Sequence, residues 1–95
     1  MQLSLERLSP QQLEIVRILH AAKGRWLTLG TIVYQLYSTK SGEEPEAAED
    51  NLRVQVHNIR RRGKVPVENK FGHGYRIAFE HHESLAHALE QETAQ

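Results

Sequence analysis

Ninety-five residues with no cysteine bound this chain to one small domain without disulfides or thiolate metal sites. Its longest apolar runs fall far short of a membrane span and its N-terminus lacks the basic and apolar regions of a signal peptide, so a cytoplasmic protein with no membrane partner is expected. Twelve Lys or Arg balance twelve Asp or Glu, but the charges are segregated: Arg53 to Arg76 holds seven Lys or Arg against Glu68 alone, a local charge of +6, which suits a polyanionic partner on one side.

Leu3, Leu5 and Leu8 predict a brief N-terminal strand or arm over residues 1–8. Ser9 is a good N-cap with Pro10 at the first helical position, so a first helix runs to about Ala22, carried by Leu13, Val16 and Leu19 and stopped by Gly24. Trp26 and Leu27 form a minimal strand. Thr28 caps a second helix over 29–37, with Ile32, Val33 and Leu36 facing inward despite an unhelpful Gly30. Trp26 and Tyr34 are expected as packing residues. Residues 38–46 are polar, contain Gly42 and Pro45, and read as a loop.

A third helix spans 46–62. Glu46, Glu49 and Asp50 favour its positive end. With Leu52 at zero on an ideal helix, Ala48, Val56 and Ile59 fall within about 40° of it, a core-facing stripe. Val54, His57, Asn58 and Arg61 cluster opposite. A solvated helix rarely needs a valine in its polar face, whereas a helix in a major groove can set one against a thymine methyl while Asn and Arg address base edges. Arg60, Arg61, Arg62 and Lys64 then gather more positive charge than the helix dipole requires.

Past Gly63, Val65 and Val67 alternate with polar neighbours, and Tyr75, Ile77 and Phe79 alternate after the tip Asn69-Lys70-Phe71-Gly72-His73-Gly74, which predicts a hairpin over 65–79. Pro66 lacks an amide donor, so the first arm is an edge strand. Glycines at 72 and 74 permit positive φ and a close approach to another backbone, such as a sugar-phosphate strand; taken alone they fit an ordinary tight turn better, since glycine pairs are common in hairpins.

Leu52-x-Val54-x-Val56-x-x-Ile59-Arg60-Arg61 followed by Phe71-Gly72-His73-Gly74-Tyr75-Arg76-Ile77, with Leu8-Ser9-Pro10 opening the first helix, resembles the C-terminal DNA-binding domain of OmpR/PhoB-type response regulators. The resemblance covers roughly residues 8–79. It implies an α+β winged helix-turn-helix of three helices plus a C-terminal hairpin wing, acting as a duplex-DNA-binding transcription regulator without enzymatic activity or cofactor. Val54, His57, Asn58 and Arg61 are the expected base readers. The expected phosphate contacts are Asn51, Arg53 and Gln55 on the helix flanks, Arg60, Arg62 and Lys64 at its end, and Lys70, His73, Tyr75 and Arg76 on the hairpin. The family also implies a homodimer on direct repeats and, through the loop 38–46, a contact with RNA polymerase, although N-terminal helix charge explains the acids there as well.

Three departures qualify the resemblance. Phe71 stands where the family often carries a basic residue that enters the minor groove, leaving that role to Lys70 or weakening it. The receiver domain and four-stranded sheet that precede the family's first helix have no counterpart, so a stand-alone effector is expected. The acidic tail 80–95 is also unlike the family; Leu85 and Leu89 with Ala86 and Ala88 suit a short helix, and a frayed end remains the alternative.

Two other functional classes are open to this sequence. The same fold can serve as a protein-interaction module, a small bacterial or phage modulator of a regulator or of RNA polymerase. A metal-dependent enzyme would rest on His81, His82 and His87 alone, but adjacent histidines point in different directions and no fourth ligand accompanies them, so no metal is expected. No Ser-His-Asp spacing, phosphate loop or HExxH pattern is present. His20 reads as a surface residue complementing the helix dipole.

Overall fold

Ser9 closes the first turn of α1 (Pro10–Ala21) with a reciprocal cap: its Oγ accepts from the Gln12 amide at 3.1 Å and its own amide donates to Gln12 Oε1 at 3.0 Å. The computed structural model describes residues 2–38 and 47–93. Thr28 caps α2 (Leu29–Ser38) through its Oγ1, which accepts from the Thr31 amide at 3.2 Å. Next come α3 (Ala48–Gly63), strands β1 (Val67–Lys70) and β2 (Gly74–Ile77), and α4 (His82–Thr93). The expected loop and the start of the third helix at Pro45 or Glu46 lie outside the described residues.

The three inner helices bury the stripes that their periodicity marks, except that in α1 the expected Leu13 is only half-buried and Ile15 takes the core position. Ile15, Val16 and Leu19 of α1, Ile32, Val33 and Leu36 of α2, and Ala48, Leu52, Val56 and Ile59 of α3 form one core with Val65, Val67, Tyr75 and Ile77 of the hairpin. Each buried Leu or Ile contributes about 1.5–3 kcal/mol relative to exposure. Gln12 is the one buried polar side chain among the described residues, and its Nε2 donates to Gln55 Oε1 at 2.7 Å, so the amide that caps α1 also fastens it to α3.

The hairpin is antiparallel, with Val67 opposite Ile77, Glu68 opposite Arg76, Asn69 opposite Tyr75 and Lys70 opposite Gly74. β1 is its edge strand, as Pro66 requires. β2 takes a second partner: Leu27 exchanges both backbone hydrogen bonds with Tyr75, each 2.8 Å, which makes the minimal strand at Trp26-Leu27 a single antiparallel bridge.

Several expectations are corrected. The N-terminal strand is a 3-10 helix at Leu5–Arg7 that buries Leu5 and Leu8 and is held by the Ser4 amide donating to the Gly63 carbonyl at 2.8 Å. Phe79 does not extend the alternation of β2. Ala78 turns the chain, and Phe79 sits in a 3-10 turn, 60% exposed, backed onto Gly24 and stacked on the His82 ring at 4.9 Å. The tail forms α4, whose Leu85 and Leu89 are buried against α1 and the N-terminal turn. Among the described residues, four α-helices and a two-stranded hairpin therefore make an α+β fold, compatible with a winged helix but with one helix more than expected.

Candidate nucleic-acid interface

Burying the Leu52 stripe of α3 leaves the opposite stripe free. Val54 is 57% exposed, His57 and Arg61 are exposed, and Asn58 is half-buried at the margin. The four positions follow one another at i, i+3, i+4 and i+7 and so form one outward line two turns long. Asn51 is exposed on the same helix. Gln55 is not available in the same way, because its carbonyl oxygen already accepts from Gln12.

Beside that line, the hairpin tip and the starts of α2 and α3 enclose a concavity of about 470 Å³. Arg53 of α3, Asn69, Lys70 and Phe71 of the hairpin, and Thr28 and Leu29 at the start of α2 line it. Arg53 pairs with Asp50 at 2.8 Å, but the two side chains are 55% and 82% exposed, so the pair contributes less than about 1 kcal/mol and yields readily to a stronger anion. Lys70 is exposed at the end of β1.

Other expected phosphate ligands are engaged within the fold. Arg60 is half-buried and donates from Nε to the Val67 carbonyl at 2.8 Å, joining the end of α3 to the base of the hairpin. Arg76 donates from Nε to Glu68 Oε1 at 2.8 Å and lies 4.5 Å over the Trp26 ring, so the strand register that sets it opposite Glu68 also neutralises it. Tyr75 is 7% exposed and belongs to the core, leaving little of it to reach outward. His73 is exposed but braced, with its ring edge-on to Trp26 at 6.0 Å and its Nδ1 3.3 Å from the Phe71 carbonyl. Trp26 thus supports the hairpin from a half-buried position.

Arg62 and Lys64 lie at the far end of α3, where Lys64 takes a left-handed φ of 58° to terminate the helix. They line a second concavity of about 390 Å³ with Arg7. Sequence reasoning missed Arg7, since only the packing of the N-terminal turn onto Gly63 brings it there.

Tyr34 is 70% exposed and corrects the expectation that it packs inward: Ile32, Val33 and Leu36 take the inner side of α2, and residue 34 falls on the other. His20 is no simple surface residue either. Its ring stacks on His82 at 4.0 Å and 7°, and its Nε2 donates to the His82 carbonyl at 3.1 Å, which fastens α4 to α1. Partial burial lowers the His82 pKa, and His20 and Lys23 lower it further against a small opposing pull from Glu83. Among the described residues no three His, Asp or Glu side chains gather as a metal site, and no helix is long and apolar enough to cross a membrane.

No protein-family model matches the chain, and searches of curated proteins and of solved structures find no match.

Proposed function

We propose that this chain is a winged-helix protein that binds duplex DNA sequence-specifically and regulates transcription, with α3 in the major groove and the hairpin as a wing on the neighbouring backbone or minor groove. The observation that carries this reading is the uncovered line of Val54, His57, Asn58 and Arg61 on a helix whose other side is buried, set beside the concavity between Arg53 and Lys70. Such a line offers an apolar group for a thymine methyl, an amide for adenine and a guanidinium for guanine. The flanking cations are placed for phosphates, which fix orientation while the line reads sequence. The resemblance to OmpR/PhoB-type effector domains supports the same docking.

Selection of binding sites from random duplex DNA tests the proposal, and one recovered motif is the expected result. A direct repeat in it would mark two copies per site. Asn58→Ala and Arg61→Ala should each weaken binding to that motif by about 1–3 kcal/mol while changing affinity for random duplex less. Equal losses on both DNAs would reassign the two residues to phosphates, and absence of any motif would remove the sequence-specific reading.

A second reading takes the chain as a protein-interaction module of the same fold, to which the exposed Tyr34 on α2 offers an aromatic contact. Under that alternative the basic side grips an acidic partner surface and no duplex is retained at low salt.

A further inference from the structure

Phe71 is fully exposed at the tip of the wing, so its ring contacts nothing in the fold. Single exposed apolar residues are ordinary on protein surfaces, but this one stands on a rigid and cationic mount. The loop 71–73 closes directly on the Lys70 and Gly74 pair, the His73 amide donates to the Lys70 carbonyl at 2.9 Å, and His73 is braced by Trp26. Lys70 precedes Phe71 in the chain, and both line one concavity with Arg53. A positive rim around an apolar point complements a polyanion with apolar layers inside, and duplex DNA is such a partner.

We propose that Phe71 is a wedge that enters the minor groove, inserts between two stacked base pairs and kinks the duplex toward the major groove. The inference rests on the duplex-binding reading above and adds the deformation of the DNA. The minor groove is about 6 Å wide, which admits one aromatic side chain on a narrow hairpin tip but no helix. Inserted apolar side chains of this kind kink DNA by roughly 20–90°. The backbone of the tip is already closed by the His73–Lys70 hydrogen bond, so insertion orders only the two side-chain torsions of the ring. Specificity follows without a hydrogen bond: pyrimidine–purine steps unstack most easily, so one such step is expected in the selected site beneath the wing.

Stacking of the ring on exposed bases and opening of the step are opposing terms of similar size, so affinity is a weak readout and the bend is the decisive one. The test uses the full chain and a duplex carrying the selected motif, with fluorophores at its ends for energy transfer and 2-aminopurine at successive positions beneath the wing. The wild type should shorten the end-to-end distance and brighten 2-aminopurine at one step only. Phe71→Ala and Phe71→Lys should bind within about tenfold of the wild type, abolish both signals and melt at the wild-type temperature, whereas Phe71→Leu should keep most of the bend. A duplex that is bound but straight, or a bend that survives Phe71→Ala, overturns the wedge and leaves the DNA-binding reading standing. In the second case the exposed ring is left for an apolar pocket on a protein. Absence of duplex binding by the wild type overturns both.

Discussion

Gly74→Ala is the substitution that tests most directly how the wing is attached. A Cβ at Gly74 would fall 1.9 Å from the Leu27 carbonyl oxygen and 2.6 Å from its carbon, and the backbone φ of 102° is itself unfavourable for alanine. The clash is with backbone, so no side-chain rotation relieves it, and Leu27 must withdraw from Tyr75. Two backbone hydrogen bonds are then lost, at about 0.5–1.5 kcal/mol each. The positive φ adds roughly 1–2 kcal/mol. Gly74→Ala should therefore cost about 2–5 kcal/mol and lower Tm by roughly 10 °C or more. Gly72→Ala is the control, because its φ of 82° carries the same conformational penalty but its Cβ would meet nothing within 4 Å, leaving a loss of about 1–2 kcal/mol. Thermal melts of the two variants give the difference, and duplex binding by Gly74→Ala should fall as the wing swings away from α3. Equal melts would refute the reasoning: Gly74 would then be an ordinary turn glycine and the Leu27 bridge would carry no weight.

Leu52→Ala and Ile59→Ala should each cost about 2–5 kcal/mol in a thermal melt, whereas Val54→Ala should stay within about 0.5 kcal/mol and lower duplex affinity; a large loss at Val54 would mean that α3 is covered on both sides. With Arg60 and Arg76 engaged in the fold, about four phosphates remain for the free cations, so log K against log salt should slope at roughly −3 to −4, and Lys70→Ala should flatten it by about one unit while Arg76→Ala should not. A slope near zero would remove the DNA reading in favour of a protein partner. His82 holds its proton less tightly when folded than its ordinary value of about 6.5, so acidification protonates the unfolded chain first: stability is complete well above that value and falls across the range below it. Melts across that range should show a smaller decline for His82→Asn, and an equal decline would deny His82 any part in it.

The helical stripes were legible because burial of one face imposes a period that survives any packing arrangement. Leu52, Val56 and Ile59 lie on one line whatever they face, and so do Ile32, Val33 and Leu36. The same rule places Tyr34 outward; expecting it inside followed from residue type and ignored its position. The N-terminal arm was ambiguous by arithmetic, since Leu3, Leu5 and Leu8 satisfy an alternating strand through the first pair and a 3-10 turn through the second. Contact with the end of α3 decides for the turn. Leu85 and Leu89 marked a helical face, but an isolated helix of this length is marginal in water, and what stabilises it is the surface of α1 with the stacked His20 and His82, two residues 62 positions apart.

The candidate site divides along the same line between local and long-range information. Which cations sit on the basic side follows from chain position, and the uncovered line of α3 follows from the phase of its buried stripe. Which cations are free does not follow, because their partners come from strand register and packing: Glu68 reaches Arg76 only when Val67 pairs with Ile77, and the Val67 carbonyl reaches Arg60 only when the hairpin folds back on α3. The glycines show the converse. Positive φ and a close backbone approach were both expected at the tip, and the approach at Gly74 is made by this chain's own Leu27. Gly72 alone remains open to a sugar-phosphate strand. The wing is therefore rigid at its base, through Arg60, the Glu68–Arg76 pair and the Leu27 bridge, and chemically free only at its tip, where Lys70 and Phe71 stand together. If the protein reads DNA, its wing has two side chains with which to do so, one for phosphate and one for the stack.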